Sequence, residues 1–301
     1  MDYDEVFAAF STPPPVPDDA LIRLAAGTPA RRLRDAIEPL AMHPVWSRRT
    51  NEALDAEGLD FLGRYVGGRA AALGDATPGV VAAAFAVFEP GLVRATYDAA
   101  RTACPRDRLV EIRDTATTES LHEVLGTVSV SEVVDLLRAA VHAAPSVGRP
   151  LFAGLSDRPW PTDPVGALWR ACESLREHRG DTHVAVCVAE GLDPVEMNVL
   201  TELWLGMELG GYSATRGWTP QRITEAAAGL ETRGLLSDRA LTSTGAALRQ
   251  RIEDRTDAGE QRVVDALGDR FSTAVDQLAT WSARCVDSGA FPPDPFKRAA
   301  G

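Results

Sequence analysis

Residues 77–89 read TPGVVAAAFAVFE, and residues 219–231 read TPQRITEAAAGLE. Laid one on the other, Thr-Pro meets Thr-Pro, Ala84 meets Ala226, Phe88 meets Leu230 and Glu89 meets Glu231. The same 142-residue step carries Leu125-Gly126 onto Leu267-Gly268, and Val133 and Leu136 onto Val275 and Leu278. An apolar register held over so long a span is hard to obtain by chance among helical segments. A second echo lies upstream. AIEPLAMH (36–43) and ACESLREH (171–178) both fit A-x-E-x-L-x-x-H, and AEGLD follows each, at 56–60 and 189–193. The pattern predicts one unit used twice. Repeats of this length are too long for a solenoid, whose periods run to about 50 residues. They imply two similar halves in tandem, packed about a pseudo-two-fold axis. The expected organisation is a Pro-rich arm at 1–30, halves at 31–150 and 151–290, and a tail at 291–301.

Helical periodicity dominates both halves. Leu33, Ile37 and Leu40 form one stripe, and Leu168, Cys172 and Leu175 form its counterpart. In the second half Thr219 is an N-cap with Pro220 at the first helical position, and Gly234 fits the helix end. LLSDRALT then forms a short hairpin around Asp238-Arg239, and Thr242 or Thr244 caps a last helix. This helix, Arg-Gly-Leu-Leu, hairpin, L-T-x-x-G, helix succession resembles the winged helix of the multiple-antibiotic-resistance class of transcription regulators. More widely, EPLAMHPVWS, GRPLFAGLSDRPWP, LREHRGDTHVA and ATRGW…RGLL make the chain similar to an actinobacterial family described only as helix-turn-helix-like. That family's first stretch usually reads E-P-L-H; here Ala41 stands at the last position and the histidine is His43. The fold class expected is mainly α, a tandem duplication of winged-helix-like units with short β-hairpins.

Composition bounds the function. With 45% hydrophobic and 25% charged residues over 301 positions, the chain reads as a soluble globular protein. No apolar run approaches the roughly 18 residues of a membrane span. The acidic start MDYDEVFAAF lacks the basic region of a secretory signal, so the cytoplasm is the expected compartment. The four cysteines have no C-x-x-C spacing and read as reduced, packed thiols. The formal net charge is −12, and Lys297 is the only lysine. Such a surface disfavours phosphate backbones, whose non-specific affinity comes from Lys and Arg.

The candidate chemistry lies where the halves meet. Glu38 and His43, and likewise Glu173 and His178, stand five positions apart, about 140° around a helix. That spacing does not chelate a metal within one helix, which takes i, i+3 or i, i+4. No metal and no cofactor is expected. The cluster REHRGDTH, with His178, Arg179 and His183, reads as a helix ending at Gly180 and restarting at Asp181. The aromatics Trp46, Trp160 and Trp169 are candidates to line a pocket, and Arg149, Arg158 and Arg179 to hold an anionic ligand. A seam carrying carboxylates and histidines suits acid–base work, because partial burial raises a carboxylate pKa.

The leading reading is therefore a small-molecule-binding protein, an acid–base enzyme of specialised biosynthesis. Glu38 or Glu173 would be the base, with His178, His183 or His43 as acid or orienter. The alternative is a ligand-responsive DNA-binding regulator using Arg222 and Arg239. A third reading is a structural partner protein. In the first half, the segment that would be the recognition helix shows no polar side chain between Thr77 and Glu89, so it is expected to be buried.

Overall fold

The computed structural model describes residues 2–11 and 27–294. Most of the arm and tail expected from the sequence lies outside the described residues. The chain is mainly helical. Its N-terminal half holds α1 (Tyr3–Ser11), α2 (Pro29–Ala41), α3 (His43–Trp46), α4 (Arg48–Asp55) and α5 (Phe61–Ala70), then α6 (Pro78–Phe85), α7 (Pro90–Ala103), α8 (Arg106–Leu125) and α9 (Ser131–Ala143). The C-terminal half holds α10 (Pro150–Ser156), α11 (Pro164–Ala189), α12 (Pro194–Trp204), α13 (Gly211–Ala214) and α14 (Pro220–Thr232). A two-stranded antiparallel hairpin follows, β1 (Leu236–Ser237) and β2 (Ala240–Leu241), and then α15 (Ser243–Gly259), α16 (Gln261–Leu267) and α17 (Phe271–Asp287). No helix among the described residues is long and apolar enough to cross a membrane.

The punctuation is chemical. Thr28 and Thr219 accept hydrogen bonds from the third backbone amide beyond them, and proline fills the position after each. Asp60 caps α5, and Asp193 with Glu196 forms a full capping box on α12. Gly126 and Gly268, each following a leucine, take positive φ (63° and 49°) and stop α8 and α16. Asp238 and Arg239 are both left-handed, as a two-residue hairpin requires.

Packing joins the two ends of the sequence. Leu33, Ile37 and Leu40 of α2 share one core with Leu168, Cys172 and Leu175 of α11 and with Leu278 and Trp281 of α17. Each such side chain contributes about 1.5–3 kcal/mol on burial. A second core sits under the hairpin, where Val199, Leu200, Ile223, Leu230 and Ile252 meet. A third binds α10 to α5, α6 and α7 through Val66, Phe85, Tyr97, Leu151 and Leu155. All four cysteines are buried, free thiols. α10 approaches residues 71–73 so closely that a Cβ at Gly154 would overlap the Ala72 carbonyl oxygen. Gly154→Ala is expected to lower stability by about 1–3 kcal/mol, as overpacking does, read from urea midpoints. An unchanged midpoint would show that α10 is free to slide.

Three sequence expectations are corrected. α11 runs unbroken through Gly180 and Asp181 for 26 residues. One mid-helix glycine costs only about 1 kcal/mol, and Asp181 turns away from its own backbone to accept the Phe152 amide at 3.0 Å. Second, α6 stops at Phe85, Ala86 takes φ 39°, and Val80 is 51% exposed, so that segment is not wholly buried. Third, the only hairpin among the described residues is β1–β2; α7 and α8 fill the corresponding stretch of the N-terminal half.

Candidate functional site

α11 carries Arg176, Glu177, Arg179, Asp181 and His183 along one side, facing a cavity of about 120 Å³ between the N- and C-terminal halves of the chain. Arg31 and Arg34 reach it from α2, Arg69 from α5, Arg249 and Glu253 from α15, and Arg216 from the turn after α13. Among the described residues seven arginines thus line it, against Glu177, Asp181 and Glu253. The cations are buried because each long side chain finds a precise partner. Arg69 grips Glu177 with two bonds, Nε to Oε1 at 2.9 Å and Nη2 to Oε2 at 2.7 Å, while lying over the Phe85 ring. Arg176 donates to both oxygens of Glu38, at 3.2 and 3.1 Å, and to Glu177 at 3.0 Å. Glu253 gathers three guanidiniums, from Arg31 at 3.0 Å, Arg179 at 2.5 Å and Arg249 at 2.9 Å. Arginine suits such sites because its planar fork is weakly hydrated and matches a carboxylate.

Arg216 differs from the rest. It stacks on the Tyr212 ring at 4.1 Å and lies over Phe88 at 5.0 Å. Its hydrogen bonds go to the hydroxyls of Tyr212 (2.7 Å) and Thr215 (3.0 Å). No carboxylate pairs with it among the described residues, and its buried Nε has no acceptor.

The titrating groups divide by environment. Burial opposes ionisation of Glu177, but Arg69 and Arg176 outweigh it and hold its carboxyl at about 2. Burial likewise works against Glu253, and Arg179, Arg249 and Arg31 overcome it, leaving its carboxyl well below the usual range. Asp181 goes the other way. Burial pushes it up to about 7, only partly offset by the Phe152 amide. Burial, with Arg249 adding, lowers His183 to about 3, so its ring is neutral. The Asp181 carboxyl of the unfolded chain ionises from pH 3.8, whereas the folded one keeps its proton to about 7, so this group removes stability as pH rises between the two. Asp181→Asn keeps the acceptor for Phe152 and loses the charge. It is expected to equal or exceed the wild type in stability at pH 8, by up to about 4 kcal/mol, with no gain at pH 4. A urea series at both values checks it.

A second cavity, of about 290 Å³, adjoins the first. The two share Tyr65, Phe88, Arg176, Tyr212 and Arg216. The second is mostly apolar, walled by Trp46, Phe61, Met42 and Phe291 and roofed by Val6 and Phe10 of α1. The α1 roof is fastened by the Tyr3 hydroxyl, which donates to the Trp46 carbonyl at 2.7 Å, and by Arg48 on Asp4 at 2.6 Å.

The structure scatters the residues singled out from the sequence. His183 and Arg179 line the first cavity; Glu38 and Trp46 line the second. The others line neither. Glu173 is buried against Arg113 and Arg170. His178 is fully buried, with Nδ1 2.8 Å from Glu260 and its ring edge-on to Phe152. His43 is fully buried beside the Ser120 hydroxyl, at 2.9 Å. Trp169 lies in the core beneath Arg113 and Arg170, and Trp160 beneath Arg138. Arg149 ties Thr182 to the carbonyl of Pro145, and Arg158 pairs with Asp114. Arg222 is exposed at the start of α14 and held by Glu225 at 2.6 Å; Arg239 is exposed at the hairpin tip. Sequence reasoning passed over Arg31, Arg34, Arg69, Arg216 and Arg249, while Arg176 stood in the REHRGDTH cluster. For Arg69 the available signal was a charged residue inside an otherwise uncharged helical stretch, as in YVGGRA (65–70). Among the described residues no group of three His, Cys, Asp or Glu side chains is arranged to hold a metal ion.

α13 is a single four-residue turn, and it faces inward. Glu202 accepts the amides of Gly210 and Ser213 and pins it, so that Tyr212 and Arg216 become cavity wall. The Val87 carbonyl accepts from Trp218 Nε1 at 2.8 Å and Asn198 Nδ2 at 2.7 Å, which seats the α6–α7 bend against the start of α14. No curated protein and no solved structure matches the chain. A model of a helix-turn-helix family matches residues 30–292, and the chain belongs to that family.

Proposed function

We propose that this protein binds a small organic anion in the cavity between its halves. The observation that carries this reading is the lining, where among the described residues seven arginines face three acidic side chains in a chain of net charge −12. A buried concentration of cations against the sign of the whole molecule suits an anionic ligand, and pockets with few convergent polar groups are usual small-molecule sites. If the bound acid also reacts, Asp181 faces it as proton donor, with neutral His183, held by Thr256, as an orienting neighbour; Glu38 is tied to Arg176, and Glu173 faces no cavity. Proton transfer on a metabolite of specialised biosynthesis would draw on Asp181.

The test is a thermal-shift and calorimetry panel of organic acids and phosphate at constant ionic strength. A ligand at 100 times its Kd is expected to add about 2.7 kcal/mol of stability. Ala84→Trp, which fills the cavity from half-exposed α6, should abolish that gain. A panel in which no acid stabilises the protein beyond chloride ends the proposal.

Family membership favours a second reading, a ligand-responsive DNA-binding regulator. Arg222 and Arg239 would touch phosphates, and Arg233 is exposed beside them. Glu225, Glu231 and Asp238 are exposed on the same elements and oppose them. A shift of DNA from the protein's own upstream region that weakens steeply with salt, and is lost in Arg222→Ala/Arg239→Ala, establishes this reading. No shift at about 50 mM salt removes it. We also read the chain as a tandem duplication of winged-helix-like units, with halves at 31–150 and 151–290. Supporting this are the paired caps Asp60 and Asp193, the paired Thr-Pro helix starts, and the paired stops at Gly126 and Gly268.

A further inference from the structure

We infer that the ligand is amphipathic, an aromatic carboxylic acid whose ring body lies in the apolar cavity under α1 and whose carboxylate meets Arg216. This deepens the anion-binding reading and rests on it. Three observations converge. The apolar cavity, at about 290 Å³, is roughly twice the apolar cavity of about 150 Å³ that takes up benzene. Space for a fused bicyclic ring is therefore present. Its walls are aromatic: the Trp46 ring centre lies 5.2 Å from Phe10, 5.8 Å from Phe61 and 6.5 Å from Phe291, spacings at which rings pack by edge and offset face.

The third observation is Arg216. It borders this cavity as well as the charged one, it has no carboxylate partner among the described residues, and its buried Nε–H is without an acceptor. A buried donor left unmade costs about 1–3 kcal/mol, and a carboxylate oxygen supplies the missing acceptor. The other charges at this cavity are accounted for. Glu38 is compensated by Arg176 and by Arg34, and Glu5 is exposed on α1. An aliphatic acid of equal length would fill the same volume with more rotamer freedom to lose; a rigid ring loses less.

The experiment uses the full chain and three probes: 2-naphthoate, the uncharged 2-naphthalenemethanol, and inorganic phosphate. Calorimetry is expected to show 2-naphthoate binding at least tenfold more tightly than the alcohol. In Arg216→Gln that preference collapses to within about twofold while alcohol binding stays; Arg216→Lys keeps the preference. Met42→Trp and Leu62→Trp fill the cavity from different elements. Either one, shown folded by circular dichroism, should lose naphthoate and alcohol together while phosphate still stabilises the protein. Naphthoate affinity unchanged in the filled variants, or equal affinity for acid and alcohol in the wild type, overturns this inference and leaves the broader reading standing if phosphate or another acid binds. Failure of every anion overturns both.

Discussion

Glu253→Gln is expected to cost the fold about 3–5 kcal/mol. The side chain keeps its shape, so packing is not the reason. Among the described residues Glu253 is the one acceptor common to Arg31, Arg179 and Arg249, and it is only 6% exposed. Arg179 retains Asp257 and Arg31 retains Asp35, but Arg249 has no second carboxylate among its ion pairs. Removing one member of a buried ionic cluster leaves charge that neither water nor protein neutralises. The control is Glu225→Gln. Its partner Arg222 is also close, at 2.6 Å, yet both are exposed, and no shift of the midpoint beyond experimental error is expected, since solvent screens such a pair. Urea unfolding of the two variants at pH 7.5 decides the matter. A loss below about 1 kcal/mol for Glu253→Gln would show that the cluster is hydrated. The variant also reports on function. Its cavity carries one more net positive charge, so a bound organic anion should restore more stability to it than to the wild type.

The second large effect concerns pH. His43 is fully buried, and burial lowers it from 6.5 to about 3. Its ring is neutral in the folded protein, while in the unfolded chain it takes up a proton below about 6.5. Its contribution is therefore complete above pH 6.5 and is lost as pH falls towards 3, at about 1.4 kcal/mol per pH unit and about 5 kcal/mol in all. His183 acts with the same sign over the same window, and Asp181 opposes it between pH 7 and 3.8. The balance leaves the slope of roughly one group. Below about pH 4.5 the depressed carboxyls of Glu177 and Glu253 add to the loss. Total stabilities of folded domains are about 5–15 kcal/mol, so mild acid should unfold much of the protein. His43→Gln can still bond the Ser120 hydroxyl and should flatten the profile between pH 6.5 and 4.5. A variant as steep as the wild type there would place the titration elsewhere.

What the sequence made legible follows from interaction range. The helix start at Thr219-Pro220 and the hairpin at Asp238-Arg239 are decided by neighbours within four residues, and the structure places them as read. The apolar stripes on α2 and α11 were legible for the same reason. The break expected at Gly180 was not real. Its local signal, glycine before aspartate, was outweighed by tertiary packing that buries Glu177, His178 and Asp181 on one continuous helix. The candidate site was least legible. Arg31 meets Glu253 across 222 positions, and Arg176 meets Glu38 across 138. No periodicity announces such pairs. Histidines and tryptophans drew attention as chemically conspicuous residues, yet His43, His178 and Trp169 are packing groups in the interior.

Among the described residues the first cavity is lined by guanidinium groups and by no ammonium group. Arginine keeps its proton throughout the range in which proteins are handled, its pKa lying above about 12. The guanidinium charge inside is therefore constant from mild acid to strong base, as the charge of a lysine-lined chamber would not be. A titration curve for ligand uptake thus becomes a readout of the guest's own ionisation, modulated near neutrality by Asp181 alone, and it should identify the functional group of an unknown guest before its skeleton is known.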